Sequence, residues 1–442
     1  MDNIKTQFRK KNLLCYTLPS VVGMCGMFLY IVVDGIFVGR GVGVDALGAV
    51  NLALPFTLFM GALCSLMTSG GITITAIRLG RGDERGANDA FCHAALLAFL
   101  IAVIMMTAGL GFPYQVAALM GANSTFLDMV ADYIFYYSAF SLPMSLGVIL
   151  QGFVRNDGSP GLAGTSVLLG ALMNVFLDWL FIFPLQMGIK GAAVATGLGQ
   201  ISVVLILLTH FIRRKGTLRF GRISFSLPLI GKIIKRGLPE MLAQFSTPVT
   251  TLCMNYVLIR MLGDLSASAF SVMSYMMSFL MGVFLGVSEG LQPLIGQSYG
   301  KKSAGDLRFY FRSGVAINLL ASLTIYVFLL VCGEYVYPLF NSNPYLLKTV
   351  AAALPKFGWA FLPVALNLMI GSYLYSTKRT AQAIVLMFCR CIAFNSVLIL
   401  FLPRLLGSEM IWYTAGFAEL SSFLIGVVLL KHSERNGVVF RS

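Results

Sequence analysis

Residues 161–213 read GLAGTSVLLGALMNVFLDWLFIFPLQMGIKGAAVATGLGQISVVLILLTHFIR. Two apolar runs, 162–184 and 191–213, flank a short break at Gly188. Each meets the requirement of about 20 apolar residues for a helix crossing a bilayer. Both are long and continuous and neither alternates with period two, which disfavours barrel strands. The pattern repeats outward along the chain, giving twelve spans: 13–38, 46–76, 89–112, 126–153, 162–184, 191–213, 234–260, 265–296, 309–333, 345–375, 380–403 and 408–430.

The whole composition agrees. Of 442 residues, 57% are hydrophobic and 11% charged, against roughly 25% charged in a soluble domain. A water-soluble chain of this length would need several charged exteriors, and the charge for them is missing. With a mean hydropathy of +0.83 and 45 glycines, the chain suits lipid-embedded helices packed through small residues. The eight cysteines fall in apolar runs without a CxxC pair, and His93, His210 and His432 are far apart, so neither a disulfide framework nor a metal centre is expected.

The formal charge of +14 is a topology signal. Segments on the N-terminal side of the spans hold 25 Lys and Arg, the opposite side 6, and Arg390 lies inside a span. Both termini are therefore expected in the cytoplasm of a cell whose inner or plasma membrane the chain crosses, with no nucleic-acid partner. The basic start (Lys5, Arg9, Lys10, Lys11) leads into a first span far longer than a signal h-region.

The halves repeat. Leu18-Pro19 recurs as Leu238-Pro239, Gly80 as Gly300 and Leu142-Pro143 as Leu362-Pro363, all at one constant offset. The expected fold is all-α, with twelve transmembrane helices in two six-helix lobes related by a pseudo-two-fold along the membrane normal. The expected boundaries are 1–213 for the N-terminal lobe, 214–233 for a basic cytoplasmic linker and 234–442 for the C-terminal lobe. Two such bundles can rock to expose a central cavity to each side in turn, which is a transporter's architecture. No nucleophile, metal set or acid-base pair points to an enzyme.

Ionisable groups inside spans are functional candidates by default. Asn174 and Asp178 are four apart and share a face of span 5. Counted along the helix axis at about 1.5 Å of rise per residue, Asp34, Asn174, Asp178 and Thr196 all fall in the outer half of the first lobe. Four oxygen-bearing side chains at one depth suit a shared proton or a Na⁺ ion. Arg390 and Glu419 lie mid-span on adjacent helices and are expected to form a structural salt bridge. Glu240 and Glu289 lie toward inner ends and are expected to face cytoplasmic water, while Asp128 and Asp132 are expected to cap span 4. Tyr133, Tyr136, Tyr137 and Gln151 on span 4, with Met273, Met276, Met277 and Met281 on span 8, are candidates to line a cavity for bulky apolar cations.

These residues resemble the multidrug and toxic compound extrusion family of the oligosaccharidyl-lipid and polysaccharide flippase superfamily. The similarity rests on Leu18-Pro19 with residues 34–39 (DGIFVG), on 151–155 (QGFVR) with Gly158, on Asn174 to Asp178, and on 188–196 (GIKGAAVAT). The resemblance implies two V-shaped lobes and export of cationic or amphipathic organic compounds in exchange for H⁺ or Na⁺, without another cofactor, by what is expected to be a monomer in contact with membrane lipid. It assigns Asp34, Asn174, Asp178, Ala192 and Thr196 to a coupling site and Pro19 to a bend in helix 1. A second branch of the family carries acidic residues in helices 7 and 10, where this chain has Thr247 and Asn367. The alternative within the superfamily is a flippase for a lipid-linked saccharide or precursor, which favours an Arg- and Lys-rich cavity that the first half lacks.

Overall fold

The computed structural model describes residues 2–122, 124, 126–221, 225–339 and 343–435, without side chains at 2–6, 39, 44, 45, 47, 247, 264, 275, 339 and 433–435. Arg222 and the side chain of Thr247 thus lie outside the described residues. The fold is all-α, with twelve spans in two lobes. Nine described helices are long and apolar enough to cross a membrane alone, and two bent pairs bring the number to eleven. The seventh span is broken at Phe245 into two shorter helices.

The chain forms two compact units, Leu14–Leu238 and Met1–Leu13 with Pro239–Ser442. The first contains most of α1 (Asp2–Gly41), then α2 (Val44–Gly80), α3 (Glu84–Gly111), α4 (Pro113–Leu119), α5 (Leu127–Ala139), α6 (Ser141–Asn156), α7 (Pro160–Ile182) and α8 (Gly188–Ile212). The second is built from α9 (Leu227–Gln244), α10 (Ser246–Leu262), α11 (Asp264–Gly300), α12 (Ala304–Val336), α13 (Pro344–Gly358), α14 (Phe361–Ser376), α15 (Thr380–Phe388), α16 (Asn395–Leu406) and α17 (Ile411–Arg435), α9 passing between the units at Pro239. These boundaries depart from 1–213, 214–233 and 234–442 at both ends of the first lobe. Arg9 pairs with Asp306, so the first residues belong with the second unit.

The span expected at 126–153 is two helices, α5 and α6, meeting at 53°, and that at 345–375 is α13 and α14, meeting at 44°. The cause is legible in the repeated Leu-Pro. Pro143 and Pro363 are each the third residue of the second helix, and a proline cannot bond to the carbonyl four residues back, here Ala139 and Trp359. Each bend then receives a bulky ring. A Cβ on Gly197 would run into the Phe140 ring, and one on Gly416 into the Trp359 indole. Aromatic and glycine alike recur almost in step with the Leu-Pro landmarks, a repeat that only the packing reveals.

α7 shows the inversion that lipid imposes. Leu172, Phe176 and Trp179 are 58%, 55% and 48% exposed, whereas Asn174 and Asp178 are 3% and 0% exposed. In hydrocarbon the apolar face turns outward and the polar groups face protein.

The beginning of the expected linker is a bound strap. Asp157, between α6 and α7, accepts bonds from His210 Nε2 (2.8 Å), from the Thr217 amide and hydroxyl (2.9 Å each) and from the Leu218 amide (3.1 Å). Asn88 accepts from the Arg219 amide at 2.6 Å, and Phe220 packs 4.9 Å from both Phe91 and Phe211. His210 is thus held by a residue 53 positions away, and His93 holds the Ser226 amide. Burial pushes the Asp157 carboxyl up, but the His210 and Thr217/Leu218 bonds outweigh it and hold it below its ordinary value of 3.8. A depressed carboxylate stabilises the fold above its unfolded pKa, and that contribution is lost as pH falls through the lowered value. Asp157→Ala is expected to raise trypsin cleavage after Arg213, Arg214 and Lys215 roughly tenfold or more at neutral pH, since charged hydrogen bonds contribute about 1.5–3 kcal/mol each. Unchanged cleavage would show that the strap is held by Phe220 alone.

Candidate ion-coupling site

The site is assembled from α1, α5, α7 and α8 of the first unit. α7 and α8 approach closely because Gly170 and Gly199 face each other: a Cβ on Gly199 would lie 3.1 Å from the Gly170 carbonyl and 3.1 Å from the Asn174 side chain. That contact sets Asn174 beside Thr196, whose hydroxyl receives the Asn174 amide at 3.4 Å and donates to the Ala192 carbonyl at 3.0 Å. Ala192 itself is buried against Val38, Ala46 and Ile182, so it contributes a carbonyl and close packing. α1 is fixed against α7 lower down, where Gly164 leaves no room for a Cβ against Pro19. Pro19 lies inside a helix that remains continuous from Asp2 to Gly41.

On this frame the carboxyl groups of Asp34 and Asp178 come within reach of each other, with Asn174 next to Asp178. The surroundings are short of donors. Both oxygens of Asp178, one of Asp34 and Oδ1 of Asn174 are buried and accept no hydrogen bond. Two ionised carboxylates cannot share a water-poor site without a neutralising partner, and acceptors without donors are costly. A proton held between the carboxyls, or one small cation among these oxygens, satisfies both demands.

Three tyrosines enclose the pair. Tyr30 and Tyr133 both lie close enough to feel the two carboxylates. Tyr137 stacks on Tyr133 with ring centroids 5.8 Å apart. Tyr30 went unseen in the sequence reading; its signal is its position one helical turn before Asp34. A cavity of about 70 Å³, lined among others by Tyr30, Gln151, Asn174, Thr196 and Gln200, opens beside the pair. Drug-sized ligands need about 300–1,000 Å³, so this space suits water and a small ion.

The candidates for a wide cavity therefore separate. Gln151 joins the small cavity and Tyr133 the carboxylate pair. Tyr136 instead lies under the Lys190 ammonium, 5.8 Å from the ring centroid. Asp132, expected as a helix cap, pairs with Lys190 at 3.1 Å because α8 starts next to α5. Asp128 does lie in the first turn of its helix. Met273 is 0% exposed and Met276 6%, both inside the apolar core of the second unit, while Met277 and Met281 pack half-buried against that core. For Met273 and Met276 the expectation of a lining role is corrected: apolar neighbours surround them on all sides.

In the second unit Arg390 Nε donates to both oxygens of Glu419, at 2.9 and 2.8 Å, and both residues are nearly fully buried. The Asn367 amide adds bonds to the Glu419 side chain (2.7 Å) and carbonyl (2.8 Å). Arg390 sits in a π-helical turn, Cys389–Phe394, where the wider winding frees its carbonyl to accept the Asn395 side chain at 2.8 Å. Nothing in the local sequence announces that turn.

The family model described as MatE matches residues 19–180 and, a second time, 239–401. The chain belongs to the MatE family. The two matches open on Pro19 and Pro239, the same prolines that mark the internal repeat. As a MATE family transporter it shares 24% identity over 364 residues with "Multidrug export protein MepA" of Staphylococcus haemolyticus, covering 80% of this chain and 79% of that one. It shares 24% over 393 residues with a "FAD transporter" of Shewanella oneidensis, covering 86% and 85%. Among solved structures, a crystal structure of MATE in complex with MaL6 superposes with TM-score 0.90 at 21% identity, covering 96% of both chains. An outward-facing multidrug resistance MATE transporter superposes with TM-score 0.89 at 22% identity, again covering 96% of both. In this chain the first unit of that fold carries a donor-poor pair of buried carboxyls.

Proposed function

We propose that this MATE family protein is a multidrug efflux antiporter of the inner or plasma membrane, with cytoplasmic termini. It expels cationic or amphipathic organic compounds in exchange for an inward-moving ion bound by Asp34 and Asp178. The observation that carries the coupling assignment is the pair of buried carboxylates whose oxygens lack donors. The substrate class is supported by the relatives named as multidrug export proteins. Asp34, Asp178, Asn174 and Thr196 hold the ion; Tyr30 and Tyr133 line the pair, with Tyr137 stacked on Tyr133. Loading the pair neutralises charge inside the lobe and stabilises one arrangement of its helices, and unloading favours the other; a substrate that binds one arrangement better is thereby driven out.

Between H⁺ and Na⁺ we favour H⁺. The two facing carboxyls need only one proton to become a satisfied pair, whereas Na⁺ needs a fuller oxygen shell in about 70 Å³. In proteoliposomes, ethidium efflux is expected under a pure pH gradient and not under a pure sodium gradient. Efflux under sodium alone would reverse the ion assignment, and efflux under neither would reject antiport. Flavin adenine dinucleotide belongs in the same assay, because one relative is named for it. Transport of that anion in place of ethidium would replace the substrate class.

A further inference from the structure

The segment that follows α8 carries charge of one sign. From Arg213 to Pro239 there are eight Lys and Arg and no Asp or Glu. Asp157, the carboxylate beneath this segment, is already spent: its side chain is 2% exposed and its oxygens accept from His210, Thr217 and Leu218. The strap then runs along α3, from Asn88, which holds the Arg219 amide, to His93, which holds the Ser226 amide more than one turn further into that helix.

α9 starts at Leu227, ahead of the apolar run that begins at 234. One of its stripes is pressed against α2. A Cβ on Gly70 would meet the Ile233 carbonyl at 2.0 Å, and one on Gly237 would meet the Leu66 carbonyl at 1.8 Å. Leu229 and Ile233, four apart, are buried on this stripe. The other side is open and divided lengthwise. Leu227 (69% exposed) and Ile234 (40%) form an apolar edge, with Phe225 (66%) just ahead of them. Lys232 and Lys235, three apart and both exposed, form a basic edge. Neither lysine makes an ion pair or hydrogen bond with the exposed Glu84 and Asp89 of α3, or with any other described residue. Depth follows from the internal repeat. Lys235 stands four residues before Pro239 as Cys15 stands four before Pro19, so the two lysines lie on either side of the position that corresponds to the start of the first span at residue 13. A helix that crosses the edge of the hydrocarbon in this way rests its lysine stems on apolar surface and raises the ammoniums to the level of lipid phosphates.

We propose that the open face of α9, with Phe225 ahead of it, is a binding surface for anionic phospholipid. Lys232 and Lys235 hold the headgroup phosphate, and Phe225, Leu227 and Ile234 lie against the glycerol and the upper acyl chain. With cytoplasmic termini this lipid belongs to the inner leaflet, whose negative surface attracts basic segments beside a span. Only the name of the leaflet rests on the reading given under the proposed function.

The test is native mass spectrometry of the detergent-purified full-length protein, offered phosphatidylglycerol and phosphatidylcholine of one chain length at equal concentration. Preferential retention of phosphatidylglycerol is expected. Each basic residue at an anionic surface contributes about fivefold in affinity, so Lys232→Gln combined with Lys235→Gln should cut the preference tenfold or more, roughly. The exposed Lys301 and Lys302 provide the control, because no large apolar side chain is exposed between Phe279 and Leu319 among the described residues. Lys301→Gln with Lys302→Gln should leave the preference unchanged. Equal losses in the two double variants would reduce the effect to general positive charge and overturn the surface, as would a wild type without preference. Glycerophosphoglycerol, the headgroup without its chains, should not displace the lipid at equal concentration; if it does, the site takes a soluble phosphodiester and the lipid assignment falls. Should the first double variant not purify, either single variant decides, at about fivefold. Binding is read without transport, so failure of ethidium efflux leaves this result standing.

Discussion

Asp34→Asn is expected to abolish drug-dependent ion flux in proteoliposomes, a loss well beyond tenfold, while the protein remains as stable as wild type or becomes more so. Tenfold corresponds to about 1.4 kcal/mol, and removing one carboxyl of the proposed coupling pair forfeits more than that. The stability half of the result follows from the donor shortage. An asparagine at 34 keeps the shape of the aspartate and brings an amide donor toward Asp178, neither of whose oxygens accepts a bond. It therefore acts as a permanently protonated partner and relieves the repulsion that the native pair relieves only by taking up an ion. Flux assays and thermal unfolding in the same detergent-purified preparation check the two halves together. Retained flux would remove Asp34 from the mechanism, and a collapse in stability would recast the pair as structural.

The second large effect concerns the Arg390–Glu419 pair. Arg390→Ala leaves Glu419 buried with its charge uncompensated and held only by Asn367. Breaking one side of such a pair costs about 3–5 kcal/mol, so a marked drop in unfolding temperature and loss of monodisperse protein are expected. Replacing both partners removes the stranded charge. Arg390→Met combined with Glu419→Gln is expected to recover most of the lost stability, since glutamine still accepts from Asn367. If the double variant is no more stable than Arg390→Ala, the pair's value lies in the π turn around Arg390 and not in charge balance.

Much of this was readable from residue order, for identifiable reasons. Spans are legible because the bilayer demands long apolar runs. The repeat was legible because proline leaves the same mark in both halves. The Arg390–Glu419 pairing and the placing of Asn174 with Asp178 followed from depth and helical spacing alone. Positions that failed share a different feature. Asp132 paired across helices instead of capping its own, and Met273 turned into the core instead of a cavity. In each case the outcome depends on which neighbouring helix a face meets, and residue order carries no record of that.

What the sequence alone determined was a twelve-span membrane protein with two similar halves, because hydrophobic length, charge asymmetry and repeated prolines are properties of a linear string. Tertiary structure decided which oxygens face one another. The close approach of α7 and α8 at Gly170 and Gly199, the rings of Phe140 and Trp359 seated on Gly197 and Gly416, and the π turn at Arg390 bring scattered polar residues together, as a donor-poor carboxyl pair in one unit and a buried ion pair in the other. Such juxtapositions depend on interhelical distances of a few ångströms, which are fixed by packing and by nothing that a run of residues spells out.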